Sequence, residues 1–243
     1  MNIIEFFLDI IYPPENHCLV CGRKLTIFSE LTGLCQECLS NIHFITESCS
    51  RCGREVEDKR NICSYCKTFE PAYDFIHSGA SYDGITRQML LEFKFKQRKE
   101  LKKPLVELLS FTFREYFKDY GIDYIVPVPM HYLRKRLRGF NQASLMAEGL
   151  ARKVNIQCLP GALQRVKEGA PLFQHGLKER RNIISGSFAP GEESPLIEGA
   201  NIMIVDDIYT SGTTVNEVST VLRERCRVNK IYVLTVARAR FKG

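Results

Sequence analysis

From residue 73 onward, the chain alternates between short apolar runs and longer segments with helical spacing. The apolar runs predict buried strands over residues 123–129, 156–159, 202–205 and 231–237. Apolar positions that recur every three or four residues predict helices over 82–95, 101–117, 141–154 and 213–226. Strands that alternate with helices predict an α/β fold, with a mostly parallel sheet flanked by helices.

Cysteine spacing dominates the pattern before residue 68. Eight of the ten cysteines form CxxC pairs, which are Cys18, Cys21, Cys35, Cys38, Cys49, Cys52, Cys63 and Cys66. Structural zinc takes four ligands in tetrahedral geometry, so two pairs complete one site and the eight thiolates predict two zinc ions. Adjacent and cross-braced pairings both fit the spacing. Four tandem pairs exceed what redox chemistry needs, and their clustering favours metal ligation in the cytoplasm over a secreted disulfide framework.

This change of pattern divides the chain in two. We place the boundary at 68–73, where Pro71 breaks local structure, between a module at 1–68 and an α/β domain at 69–243. The apolar positions of 1–12 predict an amphipathic helix that packs on the protein, because Glu5, Asp9 and the lack of a basic start do not fit a signal peptide. No apolar run is long enough to span a bilayer, so we expect no membrane insertion.

Composition narrows the class of protein only slightly. A hydrophobic content of 44% and a charged content of 26% exclude a disordered chain. The formal net charge of +6 is compatible with phosphate-bearing partners, although many globular proteins have a similar charge.

One segment joins a predicted strand to phosphate chemistry. The strand at 202–205 leads to Asp206 and Asp207 at its carboxyl end, where open α/β sheets bind ligands. A loop that can surround a phosphate with N–H and hydroxyl groups then opens into a helix; it consists of Tyr209, Thr210, Ser211, Gly212, Thr213 and Thr214. Singly, these pieces also fit a turn and an ordinary helix cap.

The contiguous order of the pieces favours a ligand site. The carboxylates of Asp206 and Asp207 suit the hydroxyl groups of a ribose and can help to hold Mg²⁺ beside a pyrophosphate. Together with the phosphate loop they predict a site for 5-phosphoribosyl-1-pyrophosphate (PRPP), with both aspartates as the catalytic candidates.

The segment from Val205 to Thr214 closely resembles the PRPP motif of type I phosphoribosyltransferases. The CxxC pairs, Val126-Pro127-Val128-Pro129 and Arg138-Gly139-Phe140-Asn141-Gln142 resemble the ComF family along essentially the whole chain. This resemblance implies a type I phosphoribosyltransferase fold with a small N-terminal zinc-binding domain. It also implies a role in natural transformation, in which the protein handles incoming single-stranded DNA in the cytoplasm beside a DNA-uptake helicase or channel protein. It does not imply a demonstrated transferase reaction.

Two further loops are candidate parts of the ligand site. In related folds, the loop after the first sheet strand binds pyrophosphate. The corresponding candidates in this chain are Pro129, Met130, Arg134, Arg138 and Asn141. A solvated basic face is the alternative interpretation of the two arginines. The stretch 167–198 lacks periodicity and predicts a mobile active-site loop, with family-like residues Gln174, Arg180 and Arg181. The series is shorter than in the family, so which arginine acts stays open.

Residues 93–103 interleave aromatic and basic side chains. This arrangement is typical of a groove that follows single-stranded nucleic acid, and it makes candidates of Lys94, Lys96, Arg98 and Lys99. The alternative is that Phe93 and Phe95 are core residues and that the lysines are merely solvated.

Three functions therefore remain open. The first is a PRPP-binding protein of the ComF type that handles single-stranded DNA. The second is an active phosphoribosyltransferase of nucleotide metabolism or salvage, which would act mainly through electrostatic stabilisation of the transition state and the departing pyrophosphate. The third, an adaptor with a vestigial pocket, fits the intact motif least well.

Overall fold

The computed structural model describes residues 16–56, 62–67, 70–167 and 184–239. The predicted helix at 1–12 lies outside the described residues, as do the loop candidates Gln174, Arg180 and Arg181.

A five-stranded parallel sheet forms the centre of the fold. The strands of the described chain are β1 (Phe75–Ser81), β2 (Tyr124–Pro127), β3 (Gln157–Cys158), β4 (Leu163–Arg165), β5 (Phe188–Pro190), β6 (Asn201–Tyr209) and β7 (Lys230–Arg238). The order across the main sheet is β1-β7-β6-β2-β3, while β4 and β5 form a separate antiparallel pair. The central strands β6 and β7 contain unbroken apolar runs, 202–205 and 231–234, because both of their faces are covered.

Helices cover both faces of this sheet. The α-helices are α1 (Ile27–Glu30), α2 (Gln36–Ser40), α3 (Gly84–Phe95), α4 (Lys102–Tyr116), α5 (Tyr132–Arg138), α6 (Gln142–Val154) and α7 (Thr213–Arg225). Met203 and Val205 of β6 pack towards α3, α4 and α6, whereas Ile202 and Ile204 pack towards α7. The alternation of side chains along the strand thus builds two apolar layers, and the predicted α/β class is confirmed.

Strand β1 and helix α5 are among the elements that the hydrophobic pattern did not predict. Strand β1 contains His77 and Ser78, which are polar yet buried and therefore interrupt the apolar run. His77 bonds to the Ser48 hydroxyl through Nδ1 at 2.9 Å, and Ser78 Oγ lies 2.7 Å from Thr235 Oγ1. Helix α5 buries none of its residues and so has no apolar face to detect. Among the described helices, none is both long and apolar enough to cross a membrane.

Candidate functional site

The eight clustered cysteines form two separate groups of four. One group contains Cys18, Cys21, Cys35 and Cys38, and the other contains Cys49, Cys52, Cys63 and Cys66; within each group all Sγ atoms lie within 4.8 Å of one another. Four thiolates at a Zn–S distance of about 2.3 Å stand about 3.8 Å apart in a tetrahedron. The 3.5 Å between Cys21 Sγ and Cys35 Sγ, and the 3.7 Å between Cys52 Sγ and Cys63 Sγ, fit that geometry. Each site could hold one zinc ion, and the pairing is the adjacent one.

Both metal sites begin with the same backbone turn. The N–H of Cys18 donates to the Arg23 carbonyl at 2.7 Å, and the N–H of Cys49 donates to the Arg54 carbonyl at 2.7 Å. The glycine after each second cysteine has a positive φ, which a residue without Cβ adopts freely. The two halves of the module are therefore structural repeats.

The acidic pair lies near the carboxyl end of β6, in the middle of the sheet. Asp206 and Asp207 follow the buried run that ends at Val205, and the N–H of Asp207 donates to Asp206 Oδ1 at 2.8 Å. Burial raises the pKa of Asp206 to about 7, and the negative charge of Asp207 adds to this shift. A carboxyl group in this state favours ligands that bring positive charge or hydroxyl donors.

Lys94 is the direct partner of this acidic pair. Its Nζ lies 2.5 Å from Asp207 Oδ2, and the two side chains are only 17% and 15% exposed. Lys94 stands near the end of α3, so it reaches the site from a helix that packs beside the sheet. Lys94, which the sequence predicts as a nucleic-acid contact, therefore lies beside the two carboxylates.

The loop predicted to bind phosphate, called the phosphate loop below, runs from the end of β6 into α7. Gly212 is the residue before the helix and has φ of +77°, and a Cβ there would lie 2.0 Å from the Tyr209 hydroxyl oxygen. Ser211 Oγ and Thr213 Oγ1 are 2.9 Å apart, and no side chain caps the helix at Gly212. The first N–H groups of α7 lack partners within the helix, and the helix dipole favours an anion there.

Two half-buried arginines approach the acidic pair from other elements. Arg138 Nη1 donates to Gln142 Oε1 at 2.9 Å; burial lowers its pKa, and the charge of Asp207 opposes that shift. Burial and the positive charge of Arg134 lower the pKa of Arg165, which the charge of Asp206 opposes. Lys94 thus pairs with Asp207, and the charges of Arg138 and Arg165 interact with the two carboxylates, so three cationic side chains act on two acids.

The loop after β2 is held from behind by Asn141. The Asn141 amide nitrogen donates to the Val128 carbonyl at 3.0 Å, and its oxygen accepts from the Ala143 N–H at 3.1 Å. Asn141 therefore positions the loop and caps α6. Pro129 is buried and Met130 half-buried, and the buried His131 has no hydrogen-bond partner at Nδ1 in the described structure.

Comparison with known proteins identifies the family. A model of the double zinc ribbon domain matches residues 7–67. Competence protein F of Haemophilus influenzae is 30% identical over 227 residues, which cover 91% of this chain and 96% of that protein. The chain belongs to the ComF family. Another relative of this ComF-family chain is competence protein ComFC of Bacillus subtilis, 26% identical over 238 residues that cover 91% of this chain and 95% of that protein.

Further matches are one curated relative and two solved structures. DNA utilization protein YhgH of Escherichia coli strain K12 is 28% identical over 208 residues, which cover 84% of the ComF-family chain and 89% of that protein. The glutamine PRPP amidotransferase of Bacillus subtilis superposes with a TM-score of 0.42 at 19% identity, over 60% of this chain and 30% of that one. Yeast adenine phosphoribosyltransferase gives a TM-score of 0.40 at 17% identity, over 59% and 71%. These superpositions are partial and concern the fold alone.

Sequence reasoning did not single out several residues at the site of this ComF-family chain. Arg165 belongs to the short strand β4, and Arg238 is the last residue of β7; neither has a motif around it. Both reach the site only through the tertiary fold. They share no sequence signal, because Arg238 ends a mostly apolar run whereas Arg165 follows the polar Gln164.

Proposed function

We propose that this ComF-family chain binds PRPP together with Mg²⁺ at the carboxyl end of β6. The proposal rests on three features that follow one another within one strand–loop–helix unit. They are an acidic pair, a glycine with a positive φ and a helix start without a side-chain cap. Each part matches one part of the ligand: carboxylates suit vicinal hydroxyls, and N–H groups at a helix start suit the 5-phosphate.

The surrounding charges support a ligand with more than one phosphate. A single phosphate at the loop would leave Lys94, Arg138 and Arg165 facing only the two carboxylates. PRPP adds a pyrophosphate on the far side of its ribose, and Mg²⁺ joins pyrophosphate oxygens to carboxylates in such sites. In this proposal Asp206 and Asp207 hold the ribose, and the basic groups face the pyrophosphate.

Calorimetry with PRPP and Mg²⁺ tests the site directly. The double variant Asp206→Asn/Asp207→Asn should weaken binding by at least about a hundredfold, because two charge-assisted contacts are lost. Asp119→Asn is the control, since Asp119 is exposed and precedes β2, at the opposite edge of the sheet. Unchanged affinity in the double variant would refute the site.

Two companion measurements distinguish PRPP binding from catalysis. Ribose 5-phosphate and pyrophosphate, offered separately, should each bind more weakly than PRPP, because each contacts only one half of the site. Release of pyrophosphate from PRPP in the presence of a panel of bases would show a transferase reaction, and its loss in the double variant would assign that reaction to Asp206 and Asp207. Binding without release would assign a PRPP-binding role.

We further propose that the chain handles single-stranded DNA in natural transformation, in the cytoplasm. Relatives are named competence protein F, competence protein ComFC and DNA utilization protein, which supports a DNA-related role. The sites formed by eight free cysteines suit a reducing compartment, where thiolates stay available to metal.

An exposed basic and aromatic surface beside the PRPP site supports the DNA role. We call it the basic surface; it consists of exposed residues from two segments, Phe95 and Lys96 at the end of α3 and Tyr132, Lys135 and Arg136 of α5. The guanidinium group of Arg138 in α5 lies 5.3 Å from the centroid of the Phe95 ring, which places the two segments side by side. Phe95 is 68% exposed, whereas its neighbour Phe93 is buried, so only one of the two aromatics considered from sequence belongs to the core. Aromatic faces next to cations are what unpaired bases and their phosphates bind.

The nucleic-acid candidates predicted from the sequence differ in their charged and aromatic neighbours. Lys96 pairs with Glu92 at 3.1 Å, and Arg98 pairs with both Glu92 and Glu100. Lys99 is exposed and lies 5.5 Å from the centroid of the Phe140 ring. Since acidic neighbours offset Lys96 and Arg98, helix α5 supplies the stronger attraction for a nucleic-acid backbone.

Anisotropy of a labelled oligothymidine at several salt concentrations tests this surface. Lys135→Gln/Arg136→Gln should weaken binding and lower the slope of log affinity against log salt by about 0.7 for each lost phosphate contact. Tyr132→Ala should weaken binding without changing that slope. The control Arg114→Gln/Lys118→Gln removes two exposed charges from the end of α4 and the residues after it. Equal losses in both double variants would show that only net charge matters.

A further inference from the structure

The back of the phosphate loop is tied to the second cysteine site by one buried arginine. Arg238 is 6% exposed, and its Nε donates to the Cys52 carbonyl at 2.7 Å. Its Nη1 donates to the Thr210 carbonyl at 2.9 Å and to the Tyr209 carbonyl at 3.2 Å. One rigid guanidinium therefore joins the backbone of a metal-ligating residue to the first residues of the loop.

Two buried tyrosines make a second connection. The Tyr73 hydroxyl donates to the Arg51 carbonyl at 2.6 Å and lies 2.8 Å from the Tyr209 hydroxyl. Because Tyr73 uses its only hydroxyl proton on Arg51, Tyr209 is the donor between the two hydroxyls. The Tyr209 oxygen in turn fills the space in which Gly212 lacks a Cβ. A continuous chain of contacts thus runs from Arg51, between Cys49 and Cys52, to the helix start.

The first cysteine site has a different setting. Cys18, Cys35 and Cys38 pack with α3 and α4 in the apolar layer on the other face of the sheet. Cys49, Cys52 and Cys66 share their layer with Tyr209 and with Val215 of α7. Although the two sites are repeats in sequence, they occupy unlike positions relative to the ligand loop.

We propose that the second cysteine site, through Arg238 and the Tyr73–Tyr209 hydroxyl pair, holds the phosphate loop in its ligand-binding shape. PRPP affinity then depends on metal in the second site and not on metal in the first. The statement about affinity rests on the proposed function, whereas the mechanical connection does not. Arg238 and Tyr73 are positioning residues, since they act on the loop and not on the ligand.

A matched pair of tyrosine variants tests the connection. Tyr73→Phe removes one hydroxyl from the chain of contacts, while Tyr116→Phe removes a hydroxyl that donates to the Thr46 carbonyl at 3.0 Å, also in the cysteine module. Tyr73→Phe should weaken PRPP binding roughly fivefold to tenfold and speed amide hydrogen exchange at 210–215 in the ligand-free protein. Tyr116→Phe should leave both at wild-type values.

Arg238 adds a second test with its own rescue. Arg238→Gln should weaken PRPP binding by about tenfold or more, because two of its backbone contacts to the loop are lost. Arg238→Lys, which can restore only one contact at a time, should fall between Arg238→Gln and wild type. Circular dichroism and the unfolding midpoint establish that each variant is folded before its affinity is compared.

Metal-site variants test the difference between the two sites. Cys66→Ser and Cys38→Ser each remove one buried thiolate from a different cysteine site. Each variant should lower the zinc content from two ions to one, as measured by inductively coupled plasma mass spectrometry. Cys66→Ser should lose PRPP affinity and protection at 210–215, and Cys38→Ser should keep both. Should Cys66→Ser not fold, the tyrosine and arginine variants still decide.

The outcomes separate the two proposals. Equal effects of Cys66→Ser and Cys38→Ser in folded proteins, or wild-type hydrogen exchange in Tyr73→Phe, would overturn the connection. Wild-type protein that does not bind PRPP would overturn the proposed ligand alone, because the exchange comparison needs no ligand and supports or refutes the connection by itself.

Discussion

Replacement of Gly212 by alanine tests how closely the phosphate loop is built. Its φ of +77° disfavours any side chain, and an alanine there carries a strain of about 1–2 kcal/mol. The new methyl group would also lie 2.0 Å from the Tyr209 hydroxyl oxygen and 2.5 Å from the adjoining ring carbon. Because the Tyr73 hydroxyl and the buried core hold that ring, the loop must move, at a further cost of about 1–3 kcal/mol.

Gly199→Ala is the matched control. Gly199 has a similar φ of +72°, but nothing lies within 4 Å of the position that its Cβ would take. It precedes β6 and so lies at the opposite edge of the sheet from the ligand loop. We therefore expect Gly199→Ala to lower the free energy of unfolding by about 1–2 kcal/mol, and Gly212→Ala by roughly 2–5 kcal/mol.

Urea unfolding and calorimetry with PRPP measure the two consequences. If the shifted loop misplaces two N–H groups that each contribute about 1.5 kcal/mol to phosphate binding, Gly212→Ala loses roughly a hundredfold in affinity. Gly199→Ala keeps wild-type affinity. Equal destabilisation by the two variants would show that the contact with Tyr209 relaxes without effect. Unchanged PRPP affinity in Gly212→Ala would refute the assignment of the loop to phosphate.

Three further predictions concern charged groups at the site. Lys94→Gln should weaken PRPP binding by about tenfold, while exposed Lys118→Gln has no effect in the same calorimetric titration. Arg165→Gln should weaken PRPP more than ribose 5-phosphate if it faces the pyrophosphate, and equal losses for both ligands would contradict that role. The raised pKa of Asp206 means that the folded state binds a proton more tightly than the unfolded state, so its contribution to stability falls between about pH 4 and pH 7. Asp206→Asn should therefore raise the melting temperature of the ligand-free protein by more at pH 8 than at pH 5.

Sequence alone predicted the parts of the fold that are encoded locally. The metal module follows from the spacing of its cysteines, and the α/β class follows from apolar runs such as 202–205. Within the metal module, the pairing of the CxxC motifs could be decided only from the structure, because the spacing of the cysteines fits both the adjacent and the cross-braced arrangement. The structure also extends this strand through Asp206 to Tyr209, since hydrogen bonds to β7 continue past the apolar run.

The features that sequence reasoning missed depend on distant partners. Strand β1 looks polar at His77 and Ser78, whose partners Ser48 and Thr235 are far away in the chain. The same holds for Lys94, whose neighbours in sequence suggest an exposed basic strip. Only the packing of α3 against the sheet brings its ammonium group to Asp207.

The charged groups of the site are only partly compensated in the ligand-free protein. Burial and the adjacent charge of Asp207 raise the pKa of Asp206, while half-buried Arg138 and Arg165 lose hydration without forming an ion pair within the described residues. A ligand that brings hydroxyl donors to the acids and phosphate oxygens to the cations relieves both penalties at once. Binding should therefore stabilise the fold by an amount that grows with the logarithm of the ligand concentration, and Asp206→Asn should gain stability where it loses affinity.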